Sequence, residues 1–443
     1  MKSECNTLVR SVVFFNFSLD MVRSLGSGSF FGKILDGEVF HIHDMRSVGD
    51  SSDLNALGDF RYVSEKNLLT LTFNGCVGIL RFHENDLKDA YVIHDSTTAD
   101  KFMNALSCGD ENKINMFFKE SAGGEVERLF VDFVSQNNIY SRIRRIVDTD
   151  LLKGKRVTVV GLGTGGSRVA LELAKAGVGN FALIDYDRLE THNISRYVKG
   201  VSDLGRLKVN VVADLLLDIN PEIRVSKHPL RIDKYPDEFS KIVNGSDVVV
   251  DATGSPLINQ FVNSTCWKLG VPSVYAGAFE RAIGLYVLSV QPPDTPCYNC
   301  VFEDVFSRYT PPKPEFLDYT EVSDPSELRA EPGLSISVGF GALFQAWYVL
   351  QILLGKESRI GAIDYQMILW GNRKEWIFKE RKIPSLMFVR TERKKDCPVC
   401  RESEWIEGAI KEVGITNREL EERLNDEERK LIKEISSNER KNR

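Results

Sequence analysis

A glycine-rich turn between a short apolar run and a helical segment most constrains what this chain can fold into. The run 156–160 is rich in β-branched residues, as expected of a buried parallel strand, and Gly161, Gly163 and Gly166 follow it directly. They fit the pattern G-x-G-x-x-G in the strand–helix context that indicates a nucleotide site. A second apolar run ends in Asp185, about twenty residues beyond the glycines, where an acid holds ribose hydroxyls. The sequence therefore predicts a Rossmann-like α/β domain with phosphate at the helix N-terminus.

The polar segment after this acid carries side chains suited to a triphosphate. Asp187, Asn193 and Arg196 lie in the segment, and Lys208 opens the next helix. A dehydrogenase holds a pyrophosphate and two riboses, so it has no evident need of an Asn, an Arg and a Lys around a third phosphate. We therefore favour a nucleoside triphosphate, with NAD as the alternative cofactor.

This pattern resembles the ubiquitin-activating-enzyme-like adenylyltransferases, the family that includes the molybdopterin-synthase and thiamine-pathway sulfur-carrier activators. The resemblance covers residues 140–400, and it implies ATP or another nucleoside triphosphate together with Mg²⁺. It also implies a set of residues that contact the nucleotide, namely Gly161, Gly163, Gly165, Gly166, Asp185, Asp187, Asn193, Arg196 and Lys208.

Two further residues match motifs of this family. Asp251 ends an apolar run at the edge where open α/β sheets bind ligands, and it matches an Asp-x-Thr motif whose Asp serves the Mg·ATP. The usual Asp-Asn after that motif is replaced here by Gly254-Ser255. Arg142 matches an Arg that enters the neighbouring subunit's active site, although a solvated linker charge is the alternative interpretation. The resemblance thus implies a homodimer with Arg142 acting in trans, and the catalytic set Arg142, Arg196, Lys208 and Asp251.

Two C-x-x-C pairs, Cys297/Cys300 and Cys397/Cys400, are the second strong feature. Each pair supplies two thiolates, and two pairs complete the tetrahedral shell of one zinc ion. A redox role would need a C-x-x-C at the start of a helix in a thioredoxin-like unit, and neither pair has that context. We therefore predict structural zinc, and the family carries the same two pairs. Thioester-forming relatives place a Cys in or near the segment 302–333, which contains none, so no thioester intermediate is expected.

The sequence divides into three predicted segments. Residues 1–137 show strand-like runs followed by helical stripes over 97–136, which predicts a small α+β, winged-helix-like accessory domain that is either simply packed or peptide-binding. Residues 138–405 form the nucleotide domain, a doubly wound and mainly parallel sheet with an antiparallel extension and a zinc clip. A crossover loop spans 302–333, and a charged helical tail occupies 406–443.

Composition limits the partners and the location. The chain has 443 residues, a net charge of −6, 42% hydrophobic and 27% charged residues, which is typical of a globular protein and argues against nucleic acid as a partner. The uncharged stretch 334–355 is long enough to span a bilayer, but its serines and glutamines favour a buried core helix. No signal-peptide pattern is visible, so we expect a cytoplasmic protein without a membrane partner.

These features predict an ATP-dependent nucleotidyltransferase. A carboxylate is already ionised near pH 7, so adenylation needs charge neutralisation on the phosphates and no catalytic base. The layout resembles the microcin C peptide adenylyltransferases, which predicts adenylation of the C-terminal carboxylate or terminal residue of a ribosomal peptide and a role in antibiotic biosynthesis. The alternative is activation of a ubiquitin-like sulfur-carrier protein, whose activators typically begin close to the Tyr-Ser-Arg segment 140–142. A second alternative is a non-catalytic nucleotide-binding partner subunit.

Overall fold

The structure is a computed structural model that describes most of the chain from residue 136 onward. The described residues are 12–15, 19–35, 39–47, 58–64, 67–73, 76–83, 86–93, 97–98, 100–101, 112, 116, 126–128, 130–133, 136–279, 283–308, 334–355 and 359–401. The chain forms two compact units: one comprises 1–143 with 220–222, and the other comprises 144–219 with 223–443. Most of the predicted crossover loop and the tail 406–443 lie outside the described residues.

The first unit contains a nine-stranded sheet. Its strands are β1 (Val12–Phe15), β2 (Ser27–Leu35), β3 (Val39–Ser47), β4 (Gly58–Val63), β5 (Leu68–Phe73), β6 (Cys76–His83), β7 (Asp86–Ile93), β8 (Val126–Arg128) and β9 (Phe130–Phe133). Their spatial order is β8-β7-β6-β5-β4-β2-β3-β1-β9. Helix α1 (Leu19–Leu25) and the short helix α2 (Gln136–Ile139) belong to this unit, and the described residues within 97–116 are also helical. The buried side chains of Phe15, Phe30 and Leu69 belong to the hydrophobic core of this first unit.

This sheet differs from the winged-helix-like arrangement that the sequence predicts. The apolar stripe over 126–133 fits a helical period, yet the structure places two strands there. β8 pairs with β7, and β9 pairs in parallel with β1. Short apolar runs are ambiguous between helix and strand, and here the available strand partners and the β-branched and aromatic residues favour the sheet.

The second unit is built on an eight-stranded sheet in the order β12-β11-β10-β13-β14-β15-β16-β17. The strands are β10 (Arg156–Val160), β11 (Asn180–Ile184), β12 (Arg224–His228), β13 (Val248–Asp251), β14 (Ser273–Ala278), β15 (Gly284–Val290), β16 (Met367–Gly371) and β17 (Ser385–Val389). β10 to β14 are parallel, and β15 to β17 are antiparallel. The predicted mainly parallel α/β sheet with an antiparallel extension is confirmed.

Helices cover both faces of this second sheet. They are α3 (Thr149–Gly154), α4 (Thr164–Ala176), α5 (Lys208–Ile219), α6 (Pro236–Asn244), α7 (Pro256–Leu269), α8 (Tyr298–Arg308) and α9 (Ser335–Leu354). One apolar cluster contains residues of α4, α5 and α9, and a second contains residues of α6, α7 and α8. The sheet therefore has a core on each face, as a doubly wound fold requires.

Helix α9 is, among the described residues, the one helix long and apolar enough to cross a membrane. It packs against α4 and against strands β13 to β15. Its Gln345 is fully buried, and the side-chain amide nitrogen Nε2 donates to the carbonyl oxygens of Asp251 and Val274, each at 2.9 Å. These contacts are those of a core helix.

The register of the parallel strands brings their C-terminal ends to one edge. Val160, the last residue of β10, lies beside Ile184 at the end of β11 and beside Asp251 at the end of β13. The glycine turn, the acid after β11 and the loop after β13 therefore meet at this edge of the sheet.

Candidate active site

The glycine turn closes one side of a cavity at the C-terminal edge of the parallel strands. Gly161 has a φ of +81°, a left-handed conformation that glycine adopts without steric cost. A Cβ at Gly161 would come within 3.0 Å of Thr253, and one at Gly166 would collide with the carbonyl oxygen of Gly161. Gly163 is the N-cap of α4 and provides no side-chain cap, so the first N–H groups of that helix remain available to an anion.

Asp185 follows β11 and ties the glycine turn to the next loop. One carboxylate oxygen accepts a hydrogen bond from the Leu162 N–H at 2.7 Å, and the other accepts from the Asp187 N–H at 2.8 Å. Burial raises the pKa of the Asp185 carboxyl, while the charge of Lys208 and the two backbone donors oppose the shift. Each oxygen keeps a second lone pair, which is what a ribose hydroxyl would need.

Lys208 supplies a positive charge at the same cavity. It is the first residue of α5 and is only 8% exposed, and its Nζ lies 2.9 Å from an oxygen of Asp187. The backbone of Lys208 also donates to the Asp187 carbonyl at 3.0 Å. These contacts hold the lysine beside Asp187 at the wall of the cavity.

The cavity has a volume of 630 Å³, and one of its walls is apolar. Its lining residues are Val160, Gly161, Gly163, Ile184, Asp185, Tyr186, Asp187, Lys208, Leu230, Arg231, Ile232, Asp233, Ala252, Thr253, Ser255, Leu257, Ile258 and Phe261. A polar phosphate end beside an apolar wall is the shape and chemistry that a nucleotide needs.

The segment 230–233 and Phe261 are lining residues that the sequence reasoning missed. Arg231 pairs with Asp233 at 2.8 Å, and its guanidinium lies 5.5 Å from the centre of the Tyr186 ring. The segment follows β12 at the same sheet edge, so the rule that located Asp251 at a strand end could also have located it.

The structure does not bring Asn193 and Arg196 to this cavity. The Asn193 side-chain oxygen accepts from the Glu190 N–H at 3.1 Å, closing a capping box around a turn of 3₁₀ helix. The Arg196 guanidinium donates to the His192 carbonyl at 3.5 Å. Both side chains are partly exposed, and their predicted triphosphate contacts stay predictions.

Asp251 is entirely buried at the end of β13, and it does not line the cavity. One of its oxygens accepts from the Thr253 N–H at 3.0 Å and from the Thr253 hydroxyl at 2.7 Å. The other accepts from the Asn259 side-chain amide at 2.9 Å. Burial raises the pKa of Asp251 to about 6, and these three hydrogen bonds oppose the shift. The carboxylate thus holds in place the 252–255 loop, part of which lines the cavity, and its predicted contact with Mg²⁺ stays a prediction.

A narrow slot opens on the other side of that loop. It encloses 120 Å³ and shares Ala252 and Thr253 with the nucleotide cavity. Most of the remaining lining residues are small, namely Gly165, Gly254, Ala276, Gly277, Ala278, Gly341 and Ala342, with Leu285, Val338 and Gln345 between them. The small side chains leave room beside the backbone of the 252–254 loop.

Arg142 belongs to the first unit, in the turn that follows α2, and its side chain is exposed. Two residues earlier, Tyr140 is 1% exposed, and its hydroxyl accepts from the Asn220 side-chain amide at 3.3 Å. The buried tyrosine anchors the turn that carries the exposed arginine.

The four predicted cysteines come together as one buried cluster. Their sulfur atoms all lie within 4.8 Å of one another, with Cys297 3.5 Å from Cys397, Cys300 3.4 Å from Cys400, and Cys297 3.9 Å from Cys300. A tetrahedral zinc with Zn–S bonds of about 2.3 Å requires S···S separations of about 3.8 Å. The donor set and its spacing therefore fit one zinc ion.

The thiols of this cluster share their protons unequally. Hydrogen bonds, from Cys400 above all, lower the pKa of Cys297, and the Asn263 amide makes a smaller contribution in the same direction. Burial raises the pKa of Cys300, and the bond to Cys297 raises that of Cys400. A metal ligand must be a thiolate, so zinc binding would release the protons that these sulfurs carry.

A parallel sheet whose strand ends hold a glycine turn, an acid and a buried lysine around one cavity defines a nucleotide-binding α/β protein. A model of the ThiF family matches residues 137–385, more than half of the chain, and the chain belongs to that family. Named relatives of the chain include adenylyltransferases.

The chain is similar in sequence to curated proteins whose names describe adenylyltransferases and activating enzymes. The chain is 30% identical over 278 residues to the adenylyltransferase and sulfurtransferase MOCS3 of Culex quinquefasciatus, which covers 61% of this chain and 57% of that protein. It is 29% identical over 192 residues to the ubiquitin-like modifier-activating enzyme 5 of Caenorhabditis briggsae, covering 40% and 44% respectively. The matched region thus spans about half of the length of these relatives.

Solved structures with a similar fold include Escherichia coli MccB with ATP. That match has 19% sequence identity and a TM-score of 0.46, and it covers 78% of this chain and 98% of that one. The predicted adenylation of a ribosomal peptide is wrong, and the predicted role in antibiotic biosynthesis is not confirmed. The curated relatives are named as adenylyltransferase and sulfurtransferase proteins, which agrees with the alternative prediction of a ubiquitin-like carrier.

Proposed function

We propose that this protein uses ATP to adenylate the C-terminal carboxylate of a ubiquitin-like carrier protein and releases pyrophosphate. The observation that carries the proposal is the meeting of two cavities at Ala252 and Thr253. The larger cavity has a lining that suits a nucleotide, and the slot is lined mostly by small residues that would leave room for an extended polypeptide tail. An extended C-terminus in the slot would present its carboxylate to the phosphates on the other side of the loop.

The residues of the larger cavity suit the nucleotide. Asp185 would accept hydrogen bonds from the ribose, and the N-terminal N–H groups of α4 would receive the phosphates. Leu257, Ile258 and Phe261 form an apolar wall against which a base can stack.

The reaction needs little from the protein besides positioning and positive charge. The attacking carboxylate oxygen forms a bond to the α-phosphorus, and the bond from that phosphorus to the pyrophosphate oxygen breaks. Lys208 and the N–H groups of α4 would stabilise the charge that develops on the phosphate oxygens. Mg²⁺, when bound with the nucleotide, supplies further charge neutralisation across the phosphates.

We include a structural zinc ion and a homodimer in the proposal. The buried cysteine cluster would hold the zinc through Cys297, Cys300, Cys397 and Cys400. Four large apolar residues at helical spacing, Ile336, Phe340, Leu343 and Trp347, are 43–75% exposed on α9, which favours a second copy as their cover. In such a dimer the exposed Arg142 would act at the partner's nucleotide site.

Pyrophosphate exchange tests the proposed activity. With a ubiquitin-like carrier, the protein should incorporate labelled pyrophosphate into ATP, and a carrier lacking its last residue should give none. Lys208→Ala should reduce exchange by about a hundredfold or more, the scale of one deleted electrostatic contact. The matched control is Lys175→Ala, because Lys175 is an exposed lysine that pairs with Glu172 outside the cavity.

The possible failures of this experiment differ in meaning. ATP that raises the unfolding temperature without supporting exchange for any carrier would indicate the non-catalytic partner instead. Stabilisation by NAD and not by ATP would indicate the alternative cofactor.

A further inference from the structure

Helix α7 carries two buried asparagines on one face. Asn259 and Asn263 are both fully buried, and they lie four residues apart, which is one helical turn. A buried amide is costly unless it is hydrogen-bonded, so two of them on one core face call for specific partners. Each asparagine has one such partner, and the two partners belong to different sites.

Asn259 reaches the nucleotide side. Its amide N–H donates to Asp251 at 2.9 Å, and the other oxygen of that carboxylate holds both the backbone and the hydroxyl of Thr253. The same helix contributes Leu257, Ile258 and Phe261 to the wall of the nucleotide cavity. A nucleotide bound in the cavity would therefore contact both the loop and the helix that this hydrogen bond joins.

Asn263 reaches the cysteine cluster. Its side-chain oxygen accepts from the Tyr298 N–H at 3.0 Å, and Tyr298 follows Cys297 and begins α8. That N–H is among the donors that a helix start leaves without an intrahelical partner, so Asn263 acts as its cap. The buried amide nitrogen of Asn263 completes no hydrogen bond with another described atom. By accepting from the N–H of the residue after Cys297, Asn263 holds the turn that carries this proposed zinc ligand.

We propose that α7 couples the metal clip to the nucleotide cavity, with Asn263 positioning the Cys297 turn and Asn259 positioning Asp251 and its loop. This inference rests on the proposed nucleotide and zinc sites. Each ligand would fix the position of one end of α7. The second ligand would then bind a helix that is already in place. Because coupling between two binding sites is reciprocal, ATP should raise the affinity for zinc by the factor by which zinc raises the affinity for ATP.

An equilibrium competition experiment tests this coupling. Full-length zinc-loaded protein is titrated with a chelating zinc indicator, with and without ATP in excess Mg²⁺. ATP should increase the zinc affinity of the wild type about fivefold or more, the lower end of typical coupling between sites. Lys208→Ala should bind ATP weakly. Any change in apparent zinc affinity that ATP still causes in this variant measures the zinc that free ATP binds.

Three variants of α7 locate the effect. Asn259→Ala should keep its zinc, bind ATP more weakly and lose the effect of ATP on zinc affinity. Asn263→Ala should lose about 10- to 100-fold in zinc affinity, as other outer-shell changes do. Gln260→Ala is the matched control on the exposed side of the helix, and it should behave as the wild type.

The outcomes separate this inference from the proposed function. ATP that raises the unfolding temperature but leaves the zinc affinity of the wild type unchanged overturns the coupling alone. An Asn259→Ala protein that keeps the full effect of ATP also overturns it. A wild type that binds zinc but is not stabilised by ATP contradicts the proposed function, and the coupling with it. The wild-type measurement decides even where a variant does not fold.

Discussion

The nucleotide cavity and the cysteine cluster are both assembled from distant segments of the second unit, but they are held in different ways. The cavity lies at the ends of parallel strands whose register is set by the buried sheet. The cluster joins Cys297 and Cys300 to Cys397 and Cys400, close to the last described residues, and among those residues no strand pairing carries the second pair. The cavity should therefore survive the loss of one side chain, whereas the cluster should not.

The largest effect is expected at the cluster. Cys397→Ser should remove the zinc and lower the unfolding temperature by more than about 10 °C, because metal binding free energy is folding free energy at such sites. Zinc content measured by atomic absorption, together with a thermal scan, checks both effects. Cys266→Ala is the control, since Cys266 is a buried thiol outside the cluster, and this variant should keep one zinc per chain. A wild type purified without zinc would contradict the expectation.

Asp251→Asn tests whether the cavity, unlike the cysteine cluster, keeps its structure when one side chain is changed. The amide introduced at position 251 would face the Asn259 amide, but the Asn259 side-chain oxygen has no partner among the described atoms and can accept once that side chain flips. The variant should therefore fold and keep its zinc, while carrier-dependent pyrophosphate release falls by about a hundredfold because the charge is lost. Near-normal turnover would show that Asp251 only positions the loop.

The raised pKa of Asp251 also predicts how stability depends on pH. Its folded value of about 6 lies above the ordinary 3.8, so the carboxyl favours folding below about pH 4 and loses that contribution as pH rises through about 6. Without Mg²⁺ or nucleotide, the free energy of unfolding of the wild type minus that of Asp251→Asn should fall by about 2 to 3 kcal/mol from pH 4 to pH 7. A flat difference would contradict the raised pKa of the folded carboxyl.

The same contrast separates what the sequence could and could not predict. Local sequence patterns predict the parallel strands, the glycine turn and the position of Asp185. The two C-x-x-C pairs predict that they lie together, because one zinc ion needs four ligands. The slot and the Asn259 and Asn263 contacts depend on long-range packing for which a single sequence holds no local sign. The strands at 126–133 were missed because their pairing partners lie far away in the sequence.

Asn193 and Arg196 show that a family motif does not by itself predict where a side chain lies. Their positions match the family motif, but in this structure Asn193 caps a 3₁₀ turn and Arg196 binds a nearby carbonyl. A motif fixes the residue types in a segment, whereas the direction of each side chain depends on the local hydrogen bonds that compete for it.

A mixture of two inactive variants tests whether one chain supplies the whole active site or whether Arg142 comes from the partner subunit. Arg142→Ala and Asp251→Ala should each be nearly inactive alone. If the arginine acts in trans, random mixing gives half heterodimers, each with one intact site, so activity should return to about one quarter of the wild type. Activity of the mixture is compared with that of each variant refolded alone. A mixture that stays inactive, or a wild type that sediments as an active monomer, would exclude the arrangement.

The smallest expected effect concerns the slot, and it separates carrier binding from ATP binding. Gly165 lies in the first turn of α4, and a Cβ there would sit 3.7 Å from Val338 and 4.0 Å from Ala252, which are ordinary contacts. Gly165→Ala should therefore fold, and it should gain up to about 1 kcal/mol of stability because alanine is the better helix former. The added methyl narrows the slot without entering the nucleotide cavity, so the KM for the carrier should rise several-fold while the KM for ATP stays unchanged. Steady-state pyrophosphate release, with each substrate varied in turn, measures the two. An unchanged carrier KM would mean that the tail reaches the nucleotide by another path.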